Sequence, residues 1–177
     1  AIKFVGPFKI SHIRKIRSTQ GQEIDGYFIF CPLLPQQMVK LDEKFVLDRI
    51  ISAGRIAERL GAKILGLGGY TSIAGDNGYT IARNLKIPVT SGNTLTAWAV
   101  FEAIYRTSRI KKMDLRKSTL AVIGANGSIG NLCARKLSEY IPRIIITERN
   151  RNKLEQLKET LLHINSLYAD PNRSFDI

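Results

Sequence analysis

Three glycines at three-residue steps, Gly124, Gly127 and Gly130, carry the most chemistry in this sequence. The segment Gly124-Ala125-Asn126-Gly127-Ser128-Ile129-Gly130 leaves an apolar run at 119–123 and opens onto an amphipathic one. Holding a diphosphate at a helix N-terminus needs a chain that turns sharply off a strand. It also needs backbone N–H groups clear of side chains, and a helix packed closely on its strand. Gly124 suits the turn, Gly127 the close approach and Gly130 the packing. The spacing is G-x-x-G-x-x-G rather than G-x-G-x-x-G, and strand-to-helix turns also use glycine for structural reasons alone. What adds weight is the setting: a strand before, a helix after, and a second strand at 143–147. A dinucleotide cofactor held by Gly124, Ala125, Asn126, Gly127, Ser128 and Ile129 is therefore expected, with a bare structural turn as the alternative.

The end of the second strand chooses between two nicotinamide cofactors. Glu148 stands where an acidic residue binds the ribose hydroxyls of NAD, whereas Arg149, Arg151 and Lys153 stand where cations bind the 2′-phosphate of NADP. Three cations around one carboxylate favour NADP, and Arg149, Asn150 and Arg151 join the expected cofactor set. The alternative is a solvated, basic start to the next helix.

Two more segments follow predicted strands, where the carboxyl ends of an open α/β sheet line a ligand crevice. Gly69, Tyr70, Thr71 and Ser72 form one, and Gly92, Asn93 and Thr94 the other. Their hydroxyls, amide and N–H groups can hold a carbonyl, a carboxylate or a carboxamide, while Asn93 or Thr94 equally suits a helix cap. Both segments are expected to face the glycine loop across one cleft. Cys31, followed by Pro32 and far from His12 and His163, and Cys133 read as reduced packing thiols. No catalytic residue and no metal site is identified.

The elements that position these residues follow from periodicity. Phe8, Ile10, Ile13 and Ile16, then Ile24 to Phe30, flank a Gln20-Gly21-Gln22 turn and predict a β-hairpin. Val39, Val46, Ile50, Ala53, Ala57 and Leu60 predict one helix over 36–60, closed by Gly61. Strands at 62–67 and 87–90, a helical stretch at 79–85 and a helix at 94–109 follow. A basic connector at 110–118 then leads to the strand, glycine loop, helix at 131–140, strand at 143–147 and helix at 150–164. The expected fold class is α/β. An N-terminal α/β substrate-side domain with a largely parallel sheet, 1–110, precedes an incomplete Rossmann-like dinucleotide-binding domain, 111–177.

Composition excludes several other classes. The 177 residues are 44% hydrophobic and 24% charged, ordinary globular values that rule out disorder and a disulfide scaffold. The uncharged stretch at 87–101 is too short and polar to span a bilayer, and residues 1–10 do not read as a secretory signal, so a cytoplasmic location is expected. The net charge of +12 admits nucleic acid, a phosphate-bearing cofactor, an acidic protein surface or a merely solvated face. Nucleic acid is not expected, since zinc-finger spacing, an aromatic RNA-binding signature and a helix-turn-helix are all missing.

Four ordered blocks resemble the long-chain fatty acyl–acyl carrier protein reductases of cyanobacteria. They are Leu67-Gly68-Gly69-Tyr70-Thr71-Ser72-Ile73, Thr90-Ser91-Gly92-Asn93-Thr94-Leu95-Thr96-Ala97-Trp98, Val122 through Gly130, and Thr147-Glu148-Arg149-Asn150 followed by Leu154. The likeness covers roughly residues 26–157. It implies NADPH-dependent reduction of a fatty acyl thioester to an aldehyde, with acyl carrier protein or acyl-CoA thioester as partner and a homo-oligomer as one assembly. It also implies an acyl-accepting cysteine after the dinucleotide fold, so that this chain is a portion of a longer oxidoreductase. The same domain order resembles shikimate dehydrogenase-type and methylene-tetrahydropterin dehydrogenase-type enzymes, and a non-catalytic nucleotide-binding or protein-docking module is the alternative from another class.

Overall fold

A computed structural model describes the backbone of residues 5–167 and 174–176. The chain divides into two compact units, Ala1–Gly92 and Asn93–Ile177.

In the first unit, β1 (Phe8–Arg17) and β2 (Glu23–Phe30) pair antiparallel, as the alternation predicted. The hairpin turn closes with Ser18 and Gln22 bonded at 2.8 Å and Gly21 at φ +83°. The helix predicted over 36–60 is instead two, α1 (Pro35–Lys40) and α2 (Glu43–Arg59). Leu41 is extended, and the Asp42 carboxylate accepts from the Phe45 amide at 2.9 Å, capping α2. Apolar residues continue at helical spacing across this break, which hid it from periodicity. Gly61 ends α2 as expected, at φ +77°, with Ala62 N–H returning to the Ala57 carbonyl.

β3 (Leu65–Gly66), α3 (Tyr79–Arg83) and β4 (Val89–Thr90) complete the unit. β3 and β4 run parallel over two residue pairs only. The expected largely parallel sheet is thus a short parallel pair beside a longer antiparallel hairpin. The core sits under α2, where Val46, Ile50 and Ile51 meet Leu33, Leu67 and Ile81.

The second unit begins with α4 (Asn93–Ile110), then β5 (Thr119–Ile123), α5 (Ser128–Leu137), β6 (Arg143–Thr147), α6 (Arg151–Leu167) and β7 (Ser174–Asp176). The sheet is parallel, in the order β5-β6-β7. The sequence reading stopped at α6 and missed β7. Ile144 and Ile146 are fully buried and Ile145 half-buried, the pattern of a strand covered on both faces. One core cluster joins Val122 and Ile144 to Leu154 and Leu161, and another joins Ala97 and Phe101 of α4 to Cys133 and Leu137 of α5. That second cluster packs α4 on α5, within the compact unit that holds the parallel sheet.

Candidate functional site

The glycine loop begins where β5 stops. Gly124 adopts φ +71°, a left-handed turn that a side chain would strain. The next amide, Ala125 N–H, donates to the Thr147 carbonyl at 2.9 Å and ties the loop to the carboxyl end of β6. Ala125 is itself fully buried. Gly127 N–H then bonds to the Gly124 carbonyl at 2.9 Å, and Asn131 N–H to the Gly127 carbonyl at 2.8 Å, which starts α5.

Each glycine has its own physical reason. A Cβ at Gly130 would lie 2.5 Å from the Gly124 carbonyl oxygen and 3.3 Å from Ala125 Cα, both of them backbone. A Cβ at Gly127 would lie 3.2 Å from the same oxygen. Close packing at Gly130 was legible in the spacing; the tight contact at Gly127 was not.

The loop is rich in donors. Gly127 caps α5 with no side-chain hydrogen bond, and the first-turn amides of any helix lack intrahelical acceptors. Asn126 Nδ2 is buried and has no hydrogen-bond partner among the described residues. An orphaned donor of this kind costs about 1–3 kcal/mol until an acceptor arrives. A diphosphate oxygen is such an acceptor, so these residues fit a dinucleotide.

Ser128 and Asn93, singled out separately in the sequence, meet here: Asn93 Nδ2 donates to Ser128 Oγ at 2.9 Å. Asn93 opens α4 and Ser128 opens α5, so one bond joins two helix N-termini. No periodicity could reveal that pair. Behind it, Cys133 Sγ lies 3.9 Å from the Ala97 carbonyl oxygen.

At the end of β6, Glu148 turns back on its own chain, its carboxylate accepting from the Arg149 amide at 2.7 Å. Asn150 Oδ1 accepts from the Lys153 amide at 3.1 Å, a cap for α6. Arg149, Arg151 and Lys153 are exposed.

In the first unit, Gly69–Ser72 forms one turn of 3-10 helix after β3. Its hydroxyls serve that turn: Thr71 donates to the Gly68 carbonyl at 2.8 Å and Ser72 to that of Gly69 at 2.7 Å. Tyr70 remains exposed. Leu67 N–H bonds to the Thr90 carbonyl at 2.8 Å, and Gly92, at φ +74°, donates to Thr90 Oγ1 at 3.2 Å. The turn and Gly92 therefore leave the same, carboxyl ends of β3 and β4. Thr94 lies in the first turn of α4.

Burial pushes the Cys31 thiol up against the opposing pull of Arg49, and burial alone raises that of Cys133. Both stay protonated near neutral pH, as packing thiols do. Among the described residues, no group of three or more His, Cys, Asp or Glu could hold a metal ion. None of their helices is long and apolar enough to cross a membrane.

No protein-family profile matches the chain. Among curated proteins it is 30% identical to aminotransferase PigE of a Serratia species over 154 residues, 87% of this chain and 18% of that protein. It is 28% identical to a long-chain acyl-[acyl-carrier-protein] reductase of Synechococcus elongatus over 156 residues, 82% of this chain and 46% of that one. The chain spans less than half the length of either relative, and its distant similarity to the reductase runs through both compact units.

Proposed function

We propose that this chain is the substrate-side and dinucleotide-binding portion of an NADP(H)-dependent oxidoreductase that reduces a fatty acyl thioester to an aldehyde. The observation that carries the proposal is the donor-rich glycine loop, with Asn126 Nδ2 buried and without an acceptor at the uncapped start of α5. The similarity to an acyl-[acyl-carrier-protein] reductase supplies the reaction class.

In this account the second unit is a Rossmann-like half and the first serves the substrate. Gly124, Gly127 and Gly130 let α5 approach a pyrophosphate, and the Asn93–Ser128 bond fixes the rim of that cradle. Arg149 and Arg151 take the 2′-phosphate, while Glu148 is held away by its own backbone contact. NADPH, when bound, supplies the hydride. The Gly69–Ser72 turn of the first unit is assigned to the thioester. Cys31 and Cys133 serve packing in this account, Cys31 against the core under α2 and Cys133 between α4 and α5.

The partner is an acyl carrier protein or coenzyme A thioester. Lys111, Lys112, Arg116 and Lys117 are exposed beyond α4, opposed in that connector by Asp114 alone. They suit the acidic surface of a carrier protein, and such rim charges mainly speed encounter.

One observation favours a second reading, a nucleotide-binding or docking module without chemistry: the same stretch matches both an aminotransferase and a reductase. Assay of the intact protein that contains this chain separates the two. The proposal expects NADPH consumption matched by aldehyde release from an acyl-carrier-protein thioester. It also expects a lower rate when Lys111 and Lys112 are both changed to Glu, with small thioesters unaffected. NADPH binding without turnover on any acyl thioester would leave the module.

A further inference from the structure

One face of the β1–β2 hairpin is apolar from end to end and open. Opposite residues in the ladder share a face, so the pairs Phe8↔Phe30 and Ile16↔Ile24 lie together, with Ile13 opposite Gly26 and Phe28 opposite Ser11. These six large side chains are each 42–64% exposed. Ile10, in the bulge between Lys9 and Ser11, is exposed as well. The other face carries Lys9, His12, Tyr27 and Ile29, and there Tyr27 and Ile29 are half-buried and His12 stacks on Tyr27 at 4.6 Å. A two-stranded ribbon with an uncovered apolar face is marginal in water.

We infer that this face is the interface of a homodimer, closed by a second copy of this chain packing hairpin on hairpin about a two-fold axis. Three observations favour that occupant. A large apolar side chain offers about 200 Å², and roughly half of each is exposed here. The patch thus removes roughly 700 Å² per copy, close to the ~800 Å² per partner of a standard interface. The apolar face carries no charged side chain, so an acidic partner of this +12 chain gains nothing by seating there. A self-complementary apolar ladder is what a two-fold contact requires.

The competing geometry is strand addition at the β1 edge. β1 is bulged between Lys9 and Ser11 and again between Ile13 and Ile16. In the second bulge Lys15 sits at φ +55°, its amide donating to Asp25 at 3.1 Å. Bulges and lysines break the regular ladder that a new strand would extend. Strand addition at that edge is therefore disfavoured, and association is assigned to the face.

Sedimentation velocity of the intact protein that contains this chain tests this. A dimer is expected to form with concentration between about 1 and 100 μM, and added salt should leave it intact or tighten it by screening the like charge of the copies. Phe28→Glu should weaken it by about 100-fold or more, the cost of burying an unpaired carboxylate. Ile24→Thr, which keeps a β-branched residue in the strand, should weaken it less and decides the matter if Phe28→Glu does not fold. Lys9→Glu, on the other face, should leave it unchanged. A monomer at every concentration would overturn the inference. So would a dimer that dissolves in salt, or one that persists in both face variants with circular dichroism unaltered.

Discussion

Asn126 holds a donor inside the glycine loop that nothing in the described chain accepts. If that group exists for a ligand, its loss should move stability and binding in opposite directions. Asn126→Ala is expected to leave the ligand-free protein as stable or more so, by up to ~1 kcal/mol in urea unfolding, because an orphaned polar group disappears. The same change should weaken NADPH by about 10-fold or more, the worth of a hydrogen bond to a charged group. A variant destabilised without NADPH, with affinity unchanged, would make the amide a structural group. Arg149→Ala should weaken NADPH more than NADH in paired calorimetric titrations, since only NADPH carries the 2′-phosphate; equal losses would remove Arg149 from that role. At this scale the sequence was informative about Gly124 and Gly130, whose demands are local and backbone-made. It could not show that Asn93 reaches Ser128, because that bond joins residues 35 apart in the chain through the packing of α4 on α5.

Caps explain which elements were legible and which were not. α2 and α4 end in the same motif: Gly61 and Lys112 each take the left-handed position, and the following amide returns five residues, Ala62 to Ala57 and Met113 to Ser108. Glycine at that position is a readable stop, and Gly61 was read as one; Lys112 carries no such signal, and the end of α4 was placed within one residue from the basic connector that follows. Lys112, at φ +53°, carries the ~1–2 kcal/mol cost of a left-handed side chain. Lys112→Gly should recover part of it, net of the glycine's greater unfolded freedom, and raise stability by up to ~1 kcal/mol in urea. A fall in stability would mean the lysine side chain holds the cap in another way. α3 has an acid-sensitive start. The Thr80 amide, and then its hydroxyl, each at 2.8 Å, hold the Asp76 carboxyl below the usual carboxylate range. A depressed folded pKa stabilises above the unfolded value of 3.8 and is lost as pH falls through the folded one. Asp76→Asn should therefore lower stability at pH 7, where the contribution is present, and flatten the acid limb so that the two proteins converge below about pH 4. An identical acid limb in both proteins would refute this.

Two units of different architecture share one chain, a hairpin and helix layer and a parallel sheet with its helices. The α/β class was legible because strands and helices alternate along most of the sequence. The basic residues at 110–118 look like a linker, whereas the packing of α4 follows its apolar stripe, Ala97 and Phe101 against Cys133 and Leu137, which single-sequence patterning does not pair. β7 was missed because a three-residue strand carries too little pattern to register. The central claim for the whole molecule is that the second unit holds a phosphorylated dinucleotide at the start of α5. Titration of the isotope-labelled chain with NADPH, followed by amide resonances, tests it most directly. The account predicts saturable shifts at Gly124 through Gly130, with Arg149 and Arg151 responding more to NADPH than to NADH. Saturating NADPH that leaves the amides of Ser128, Ile129 and Gly130 unmoved would contradict it.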